Sequence, residues 1–247
     1  MASRVHLLGV PVDALTRSEA LTRLLGFLES GGKHHVMTPN SEMLVESRKN
    51  PKFREVLQRS ALNFPDSQGL LLAARWTRQS LPERVTGVDT VQMLCATLDE
   101  RHPVFLLGAG HGIAEQASEA LQSRNPRLKI VGTFSGNPRR EYAREIIAGI
   151  NVSRPHLLFV AFGSPQQDIW IAEHLPELSS VRVAMGVGGT FDFLAGIQKR
   201  APKFVRRIGM EWLWRFIQEP SRWKRIWMAV IVFPWLILRH AKTRADE

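Results

Sequence analysis

The stretch Val104–Arg124, VFLLGAGHGIAEQASEALQSR, decides the fold class of this 247-residue chain. It begins with four apolar residues that suit a buried strand, turns through Gly108–Gly112, and continues as a helical pattern from Ile113. The same order of apolar strand and glycine-containing loop returns at Leu157–Phe162 and at Val181–Val187. Repeated units of this kind predict an α/β fold: a Rossmann-like, mainly parallel sheet with helices on both faces.

The first half of the chain continues this pattern less regularly. Val5–Val10 and His35–Thr38 are interpreted as strands, and Ala61–Phe64 leads into a Pro-Asp-Ser turn. A further strand is predicted at Leu128–Val131. Ligands of parallel sheets bind at the carboxyl ends of the strands. We therefore expect the functional residues in the polar loops that follow these strands.

Composition excludes several kinds of site. A single cysteine, Cys95, leaves no disulfide framework and no CxxC metal site, and it fits a buried position in a protein of a reducing compartment. The sequence has no DxD or HExxH motif, and its eight histidines are scattered. We therefore expect no dedicated metal site and no cofactor.

The charge distribution divides the chain into two predicted parts. The whole chain carries a net charge of +10, and residues 199–247 alone carry +8, from twelve Lys or Arg and four Asp or Glu. The same segment holds five of the seven tryptophans. Tryptophan beside arginine suits the headgroup region of a membrane. We therefore predict an α/β catalytic core over residues 1–198 and a helical, membrane-associating appendage over residues 199–247.

An apolar run within this appendage bears on its position. Trp227–Leu238 is shorter than the roughly 20 residues of a membrane-spanning helix and contains Pro234. We expect it to lie on an anionic membrane surface; the alternative is a helix that packs on the body or on a partner subunit of a homo-oligomer. No export signal is apparent. The expected location is therefore cytoplasmic, peripheral on the inner face of the cell membrane.

Two glycine-containing loops are candidates for nucleotide binding. Gly108 opens a loop that would approach phosphate or ribose, or would simply form a tight β–α turn. NAD is disfavoured, because the last glycine of this loop comes too early for GxGxxG and no acidic residue ends the next strand. Gly188 and Gly189 would let backbone amides approach a ligand. Asp192 would then accept ribose hydroxyl groups or, alternatively, cap a helix.

Polar residues in the other loops are candidate catalytic or binding groups. Asp66 would take a proton from an attacking hydroxyl group, or would cap the helix that follows it. Thr38 and Asn40 occupy a similar loop, in which Asn40 has helix capping as its alternative role. Gln167 would bond a sugar or stabilise developing charge, unless it is a surface residue. These side chains suit proton transfer from a polar substrate.

Arginines of the appendage are candidates for binding a diphosphate. Arg215, Arg222 and Arg225 have a spacing that would place them on one stripe of a helix, although Pro220 predicts two short helices instead of one. The positive charge of these side chains would neutralise a leaving diphosphate. The alternative is a solvated basic face.

Segments distributed over nearly the whole chain carry a resemblance to a known family. In chain order they are 38–42 (TPNSE), 64–69 (FPDSQG), 84–89 (RVTGVD), 105–108 (FLLG), 163–168 (GSPQQD), 186–196 with 200–202 (RAP), and 211–215 (EWLWR) with 219–222 (EPSR). This combination resembles the WecG/TagA/CpsF family of bacterial glycosyltransferases. Two departures are Ser67, where the family has glycine, and Gln166, where it has lysine.

The resemblance implies an inverting glycosyltransferase of surface polysaccharide synthesis, and the lack of a metal-binding motif makes us expect a metal-independent one. The sugar, of N-acetylmannosamine type, its uronic acid or another hexose, would pass from a UDP-sugar to a polyprenyl-diphosphate-linked saccharide. The resemblance makes Asp66 the catalytic base, with Thr38 and Gln167 as its neighbours. It assigns the contact with diphosphate to the three appendage arginines.

Two other classes of protein remain as alternatives. One is an NAD- or S-adenosylmethionine-dependent enzyme that uses the Gly108–Gly112 loop. The other is a basic module that binds nucleic acid. Polar loops at the strand ends of the whole body disfavour the second class, so we expect no nucleic-acid partner.

Overall fold

The computed structural model describes residues 3–202, 204–205 and 209–245, with side chains through residue 240 apart from the two gaps. Lys203 and residues 206–208, which belong to the predicted appendage, lie outside the described residues, as do the last two residues.

The strands are β1 (Arg4–Leu7), β2 (Val10–Asp13), β3 (His34–Met37), β4 (Leu62–Asn63), β5 (Val104–Gly108), β6 (Ile130–Phe134), β7 (Leu157–Ala161) and β8 (Val183–Gly186). The helices of the body are α1 (Arg17–Ser30), α2 (Ser41–Lys49), α3 (Pro51–Arg59), α4 (Gln68–Trp76), α5 (Gly87–Thr97), α6 (Ile113–Arg124), α7 (Arg140–Ser153), α8 (Gln166–His174) and α9 (Thr190–Leu194). The C-terminal helices are α10 (Glu211–Gln218), α11 (Trp223–Trp227) and α12 (Phe233–Ala245), with a 3-10 turn at Pro220–Arg222 and a π turn at Met228–Val232.

Six strands form one parallel sheet in the order β4-β3-β8-β7-β5-β6, which confirms the predicted parallel α/β fold. The residues of β5, β7 and β8 are all buried, as expected for inner strands that are covered on both faces. Because every strand of this sheet runs in the same direction, the carboxyl ends of all six meet at one edge.

Helices cover both faces of the sheet. Alternate strand residues, such as Leu106 and Phe159, pack with α1, α5, α6 and α9 in one cluster. Their neighbours along the strands, such as Leu107 and Val160, pack with α7 and α8 on the other face. Met37 of β3 joins α2, α3 and α4 in a third cluster. The α8 and α9 helices, which follow adjacent strands, therefore leave the sheet edge on opposite faces, as at the ligand-binding crevice of such folds.

The prediction of one continuous strand over Val5–Val10 was wrong, because the chain turns at Leu8 and Gly9 between β1 and β2. Val5–Val10 does not continue as one strand of the main sheet; β1 and β2 form a separate antiparallel hairpin with Val5 opposite Val12. Leu8 and Gly9 both have positive φ, 52° and 81°, as a two-residue hairpin turn requires. The hairpin packs on α3 and α4. The strand expected at Leu128–Val131 is also displaced, to Ile130–Phe134.

The appendage packs on the body along one side. The helix break at Pro220 is confirmed, because α10 ends at Gln218 and the chain resumes in a 3-10 turn. Phe233 and Ile237 are buried in the cluster that contains α2 and α4. Pro234 lies within helical structure, directly after the π turn, where a wider turn accommodates a residue without an N–H group.

The other side of this helical segment carries apolar side chains on the surface. We call this the exposed stripe, and its side chains are about half exposed: Trp223, Trp227, Ile231, Trp235 and Leu238. In the described part of the chain, no helix is both long and apolar enough to cross a membrane.

Candidate active site

Four adjacent strands present candidate residues at the common carboxyl edge. Asp66 follows β4, Thr38 follows β3, Gly188 follows β8, and Gln167 follows β7. Neighbouring strands lie about 4.8 Å apart. The sheet order therefore brings residues from four separate parts of the sequence onto one edge.

Asp66 occupies a loop held in place by backbone hydrogen bonds. Its N–H donates to the Pro39 carbonyl at 3.0 Å, and the Val85 N–H donates to the Pro65 carbonyl at 2.9 Å. The α4 helix begins after Ser67, which is its N-cap residue and makes no side-chain capping bond. Asp66 is therefore not the helix cap that was its alternative role.

The carboxyl group of Asp66 has an unusual protonation equilibrium. Burial raises its pKa to about 7, and repulsion from Glu211 and Asp89 acts in the same direction. Attraction to Arg84 and a hydrogen bond from the Gly87 N–H oppose the rise. A carboxylate with such a pKa can accept a proton near neutral pH and release it again.

Thr38 lies in the same cluster as Asp66. Gly87, whose N–H donates to Asp66, lies next to Thr38, because a Cβ atom there would be in ordinary contact with Thr38 Oγ1 at 3.5 Å and with Thr190 Oγ1 at 3.8 Å. Thr38 is mostly buried, and its hydroxyl lies 3.5 Å from the Gly186 carbonyl oxygen. The loops after β3 and β8 therefore meet beside the Asp66 loop.

Gln167 joins the loops that follow β7 and β8. It is only 4% exposed, so the surface alternative is wrong. Its Oε1 accepts hydrogen bonds from the Gly163 N–H at 3.1 Å and from the Gly188 N–H at 3.0 Å. One amide oxygen thereby fixes the width of the crevice between α8 and α9.

The loop after β8 brings the appendage to the sheet edge. Gly188 has φ of +51°, and a Cβ atom there would meet no atom within 4 Å, so this loop faces open space. A Cβ atom on Gly189 would lie 3.5 Å from Asp192 Oδ2 and 3.6 Å from Arg215 Nη2. Asp192 lies inside α9, whose N-cap residue is Gly189, so capping is not its role. An acidic and a basic side chain therefore flank this glycine.

The three predicted arginines come together although they belong to separate short elements. Burial lowers the pKa of the Arg215 guanidinium, and the charges of Arg222 and Arg225 act in the same direction, whereas Glu219 and Asp192 oppose it. Mutual repulsion of this kind means that the three cations lie near one another. Arg215 Nη2 lies 3.5 Å from Glu219 Oε1, and Arg222 also pairs with Glu219. The result is a basic cluster that an anion would stabilise.

The structure adds a charge network that the sequence analysis did not assign. Arg84 Nη2 lies 3.1 Å from Glu211 Oε2, and Arg200 Nη1 lies 2.5 Å from Asp89 Oδ1. Burial acts to raise the pKa of Asp89, but the bonds from Arg200 and Thr86 outweigh it and lower the pKa to about 2. All of these residues fall in the segments that carried the family resemblance, which was the signal available for finding them.

Two other predicted residues have structural roles. Asn40 Oδ1 accepts from the Met43 N–H at 3.0 Å and caps α2. Gly108 is required by packing, since a Cβ atom there would lie 2.8 Å from the Ala161 carbonyl carbon. The glycine at position 108 is therefore explained by steric crowding in a tight β–α turn. Both residues still lie at the carboxyl edge of the sheet, and any substrate contact of theirs stays a prediction.

No group of three or more His, Cys, Asp or Glu side chains among the residues with described side chains could hold a metal ion. The site instead combines a carboxyl group of raised pKa, a crevice between two loops and a basic cluster. This combination is typical of an enzyme that activates a hydroxyl group and stabilises a phosphorylated leaving group.

The comparison with known families agrees with this class of enzyme. The model of the glycosyl transferase WecG/TagA/CpsF family matches residues 5–247. The chain belongs to this family and is a glycosyltransferase. It is therefore not the NAD- or S-adenosylmethionine-dependent enzyme that the Gly108–Gly112 loop left open.

Two relatives are similar over most of their length. An N-acetylglucosaminyldiphosphoundecaprenol N-acetyl-beta-D-mannosaminyltransferase of Bacillus spizizenii is 29% identical over 220 residues, which cover 89% of this chain and 84% of the relative. A protein of the same description from Staphylococcus aureus strain MW2 is 28% identical over 227 residues, which cover 91% of this chain and 87% of the relative.

Proposed function

We propose that this protein is an inverting, metal-independent glycosyltransferase that moves a sugar from a UDP-sugar to a polyprenyl-diphosphate-linked saccharide. The sugar is of N-acetylmannosamine type, its uronic acid or another hexose, and the product enters bacterial surface polysaccharide synthesis. The observation that carries the proposal is the position of Asp66, a half-buried carboxyl group whose pKa desolvation raises to about 7, on the sheet edge that also receives the basic cluster of the appendage. The names of the two relatives support the acceptor and the type of sugar.

In the proposed reaction, Asp66 is the general base. Its carboxylate takes the proton from an acceptor hydroxyl group while that oxygen attacks the anomeric carbon of the donor sugar. The bond between the anomeric carbon and the UDP oxygen breaks as the new glycosidic bond forms on the opposite face, so the configuration inverts. UDP leaves with the electron pair, and the proton remains on Asp66 until solvent removes it.

The charge that grows on the leaving diphosphate must be offset by the protein. Arg215 is the proposed partner, since its guanidinium lies against the β8 loop beside Asp192. Arg222 and Arg225 add positive charge to the same cluster. Preorganised cations of this kind stabilise a developing anion at little cost in reorganisation. They are the reason to expect activity without a metal ion.

The uridine part of the donor is proposed to lie along the loops after β8 and β5. Gly188 faces open space, and Asp192 beside it is placed to accept ribose hydroxyl groups. Gly108, at the end of β5, is the candidate residue that lies farthest from Asp66 along the sheet edge. Thr38, which follows β3, is proposed to contact substrate beside Asp66, and Gln167, which follows β7, is proposed to do so farther along the same sheet edge, with Asn40 at the rim.

The exposed stripe supports a peripheral position on an anionic membrane surface. Half-exposed tryptophans next to Lys224, Arg225 and Arg239 suit the headgroup region, in which indole rings and cations both find partners. A lipid-linked acceptor would be presented at the same surface, on the cytoplasmic side. A homo-oligomer in solution would be a second way to cover the stripe.

The proposal is tested by measuring sugar transfer from a panel of UDP-sugars to a short-chain polyprenyl-diphosphate-linked N-acetylglucosamine, with and without EDTA. Asp66→Asn should fold normally and lose about 10²–10⁴-fold in kcat, the usual contribution of a general base. Asp99→Asn, which removes a carboxylate paired with Arg101 and Arg127 away from this site, is the matched control and should retain full activity. Near-normal activity of Asp66→Asn would remove Asp66 from this role, and inhibition by EDTA would refute metal independence.

A further inference from the structure

Glu211, the first residue of α10, links the appendage to the surroundings of Asp66. Its Oε2 lies 3.1 Å from Arg84 Nη2, and its Oε1 lies 3.8 Å from Arg200 Nε. Arg200 is held in turn by Asp89 at 2.5 Å and by Thr86 Oγ1 at 3.3 Å. Two arginines and two acids therefore form a chain of charges that ends beside the catalytic loop.

Arg84 interacts electrostatically with the carboxyl groups of Glu211 and Asp66, but it forms an ion pair only with Glu211 among the described residues. Its side chain is only 14% exposed, so it depends on a counter-ion from the protein. Glu211 supplies that counter-ion, whereas no ion pair within 4 Å joins Arg84 to Asp66 among the residues the structure describes. Arg84 nevertheless attracts Asp66. Glu211 and Asp66 thus compete for one guanidinium group.

We propose that Glu211 is a positioning residue of the transfer reaction: by holding the Arg84 guanidinium, it keeps Arg84 from pairing with Asp66 and leaves that carboxylate free to take the acceptor proton. This inference rests on the proposed role of Asp66 as the base. Because Glu211 belongs to the appendage, the base is set for catalysis only while α10 is docked on the body.

The charges that face Asp66 define what the loss of Glu211 would do. They are Arg84 from the segment before α5, Asp89 from α5, Arg200 from the segment after α9, and Glu211 from α10, together with the Gly87 N–H group. Without Glu211, one repulsive charge disappears and Arg84 loses its partner. Both changes favour an Arg84–Asp66 pair, and both lower the pKa of Asp66. A carboxylate of lower pKa is a weaker base.

The first experiment is the pH dependence of kcat for sugar transfer by Glu211→Gln. In the wild type we expect activity to rise with pH through about 7, where Asp66 loses its proton. In Glu211→Gln the rise should move at least one pH unit lower, and the plateau kcat should fall roughly three- to tenfold because general-base efficiency follows basicity. The KM for the donor should stay within about twofold. Glu211→Asp, which retains the charge, should keep the rise near its wild-type position.

Glu83→Gln is the matched control. Glu83 precedes Arg84 in the chain but pairs with Arg17, at 3.0 Å. Its loss changes the net charge by the same amount without freeing Arg84, so the wild-type profile is expected. An equal loss of activity at every pH in Glu211→Gln, with the rise unmoved, would show that Glu211 only anchors α10 and would overturn the inference.

A second pair of variants keeps the inference testable if Glu211→Gln does not fold. Arg84→Gln removes the cation that attracts Asp66, so the rise of kcat with pH should move to a higher pH than in the wild type. An unchanged pH profile would contradict the inference. In the double variant Arg84→Gln/Glu211→Gln the part of the downward movement that Arg84 causes should vanish, and only the smaller effect of losing the Glu211 charge should remain, because Arg200 stays paired with Asp89. Full activity of Asp66→Asn would instead overturn the proposed base itself. An inactive Asp66→Asn with an unmoved Glu211→Gln profile would overturn the role of Glu211 alone.

Discussion

Arg225 Nε donates to Glu42 Oε1 at 2.6 Å, and this contact joins α11 of the appendage to the first turn of α2. The α2 helix begins directly after the loop that contains Thr38 and Asn40. The contact therefore holds the basic cluster next to a loop of the candidate active site. Arg225 keeps 45% of its side chain exposed, which leaves it accessible to an anion as well.

This ion pair should contribute modestly to docking. In a double-mutant cycle, Glu42→Ala and Arg225→Ala should show a coupling energy of about 0.5–1 kcal/mol by denaturant unfolding, as is usual for partly exposed pairs. The Glu55–Arg59 pair on the surface of α3 is the matched control and should show less coupling, because both of its side chains are more exposed. Additive effects of Glu42→Ala and Arg225→Ala would mean that the contact does not hold the appendage.

Asp66 should make the stability of the protein depend on pH. Its folded-state pKa of about 7 lies above the ordinary value of 3.8, so the stability that it contributes is fully present below about pH 4 and is lost as the pH rises through 7. Asp66→Asn removes this penalty. We expect the variant to exceed the wild type by roughly 1–3 kcal/mol at pH 8 and by little at pH 4, since one pKa unit corresponds to about 1.4 kcal/mol.

Thermal unfolding at the two pH values measures this difference. Asp99→Asn provides a control of opposite sign, because hydrogen bonds from Arg101 lower the pKa of Asp99. Its removal should reduce stability slightly at pH 8 and have less effect in acid. A melting temperature of Asp66→Asn below that of the wild type at pH 8 would contradict the raised pKa.

Gln167 should be needed for the shape of the crevice. Gln167→Leu leaves the part-buried N–H groups of Gly163 and Gly188 without their acceptor, and the loss of each hydrogen bond costs about 0.5–1.5 kcal/mol. We expect a lower melting temperature and a large loss of kcat. Gln167→Glu retains the accepting oxygen and should recover most of the stability. Gln166→Leu, at the exposed neighbouring position, should change neither quantity; equal effects at positions 166 and 167 would refute the bridging role.

The exposed stripe should determine binding to anionic vesicles. Trp227→Ala/Trp235→Ala should weaken sedimentation with vesicles that contain phosphatidylglycerol by about tenfold or more, because two half-buried indole rings are lost from the interface. Salt should weaken the binding of the wild type, since attraction between cations and headgroups is screened. Trp76→Ala, at an exposed site on α4, is the control. Unchanged vesicle binding of the double variant, with dissociation of a dimer instead, would assign the stripe to an oligomer contact.

The parallel sheet could be predicted because its inner strands are uniformly apolar and are each followed by glycine and a helix, as in Val104–Arg124. The N-terminal hairpin could not be predicted, because nothing in the local sequence indicates that Leu8 adopts a positive φ. The apolar residues of Val5–Val10 suit either kind of strand, and only packing against α3 and α4 decides between them. Pro220 predicted the helix break correctly because its effect is local.

The candidate site was predictable where a residue type is tied to a loop position, as for Asp66 and the β8 glycines. The Arg84–Glu211 contact was not predictable from one sequence, because 127 positions separate its two residues and nothing local indicates which acid an arginine will choose. The cap formed by Asn40 illustrates the opposite case. Its alternative role as a helix cap could be predicted from its position just before the α2 helix. The structure shows the capping hydrogen bond from the Met43 N–H to Asn40 Oδ1.

The π turn at Met228–Val232 also determines how the side chains of the exposed stripe are aligned along the helical segment. In a regular α-helix each residue turns about 100°, so side chains four apart drift around the axis by about 40° at every step. A wider turn rotates less per residue and offsets part of that drift. Trp223 and Trp235 can therefore touch the same plane from opposite ends of the segment. Deleting one residue from the turn would rotate the Trp235 indole out of the plane that Trp223 touches. A bilayer surface would then contact the protein at a different angle.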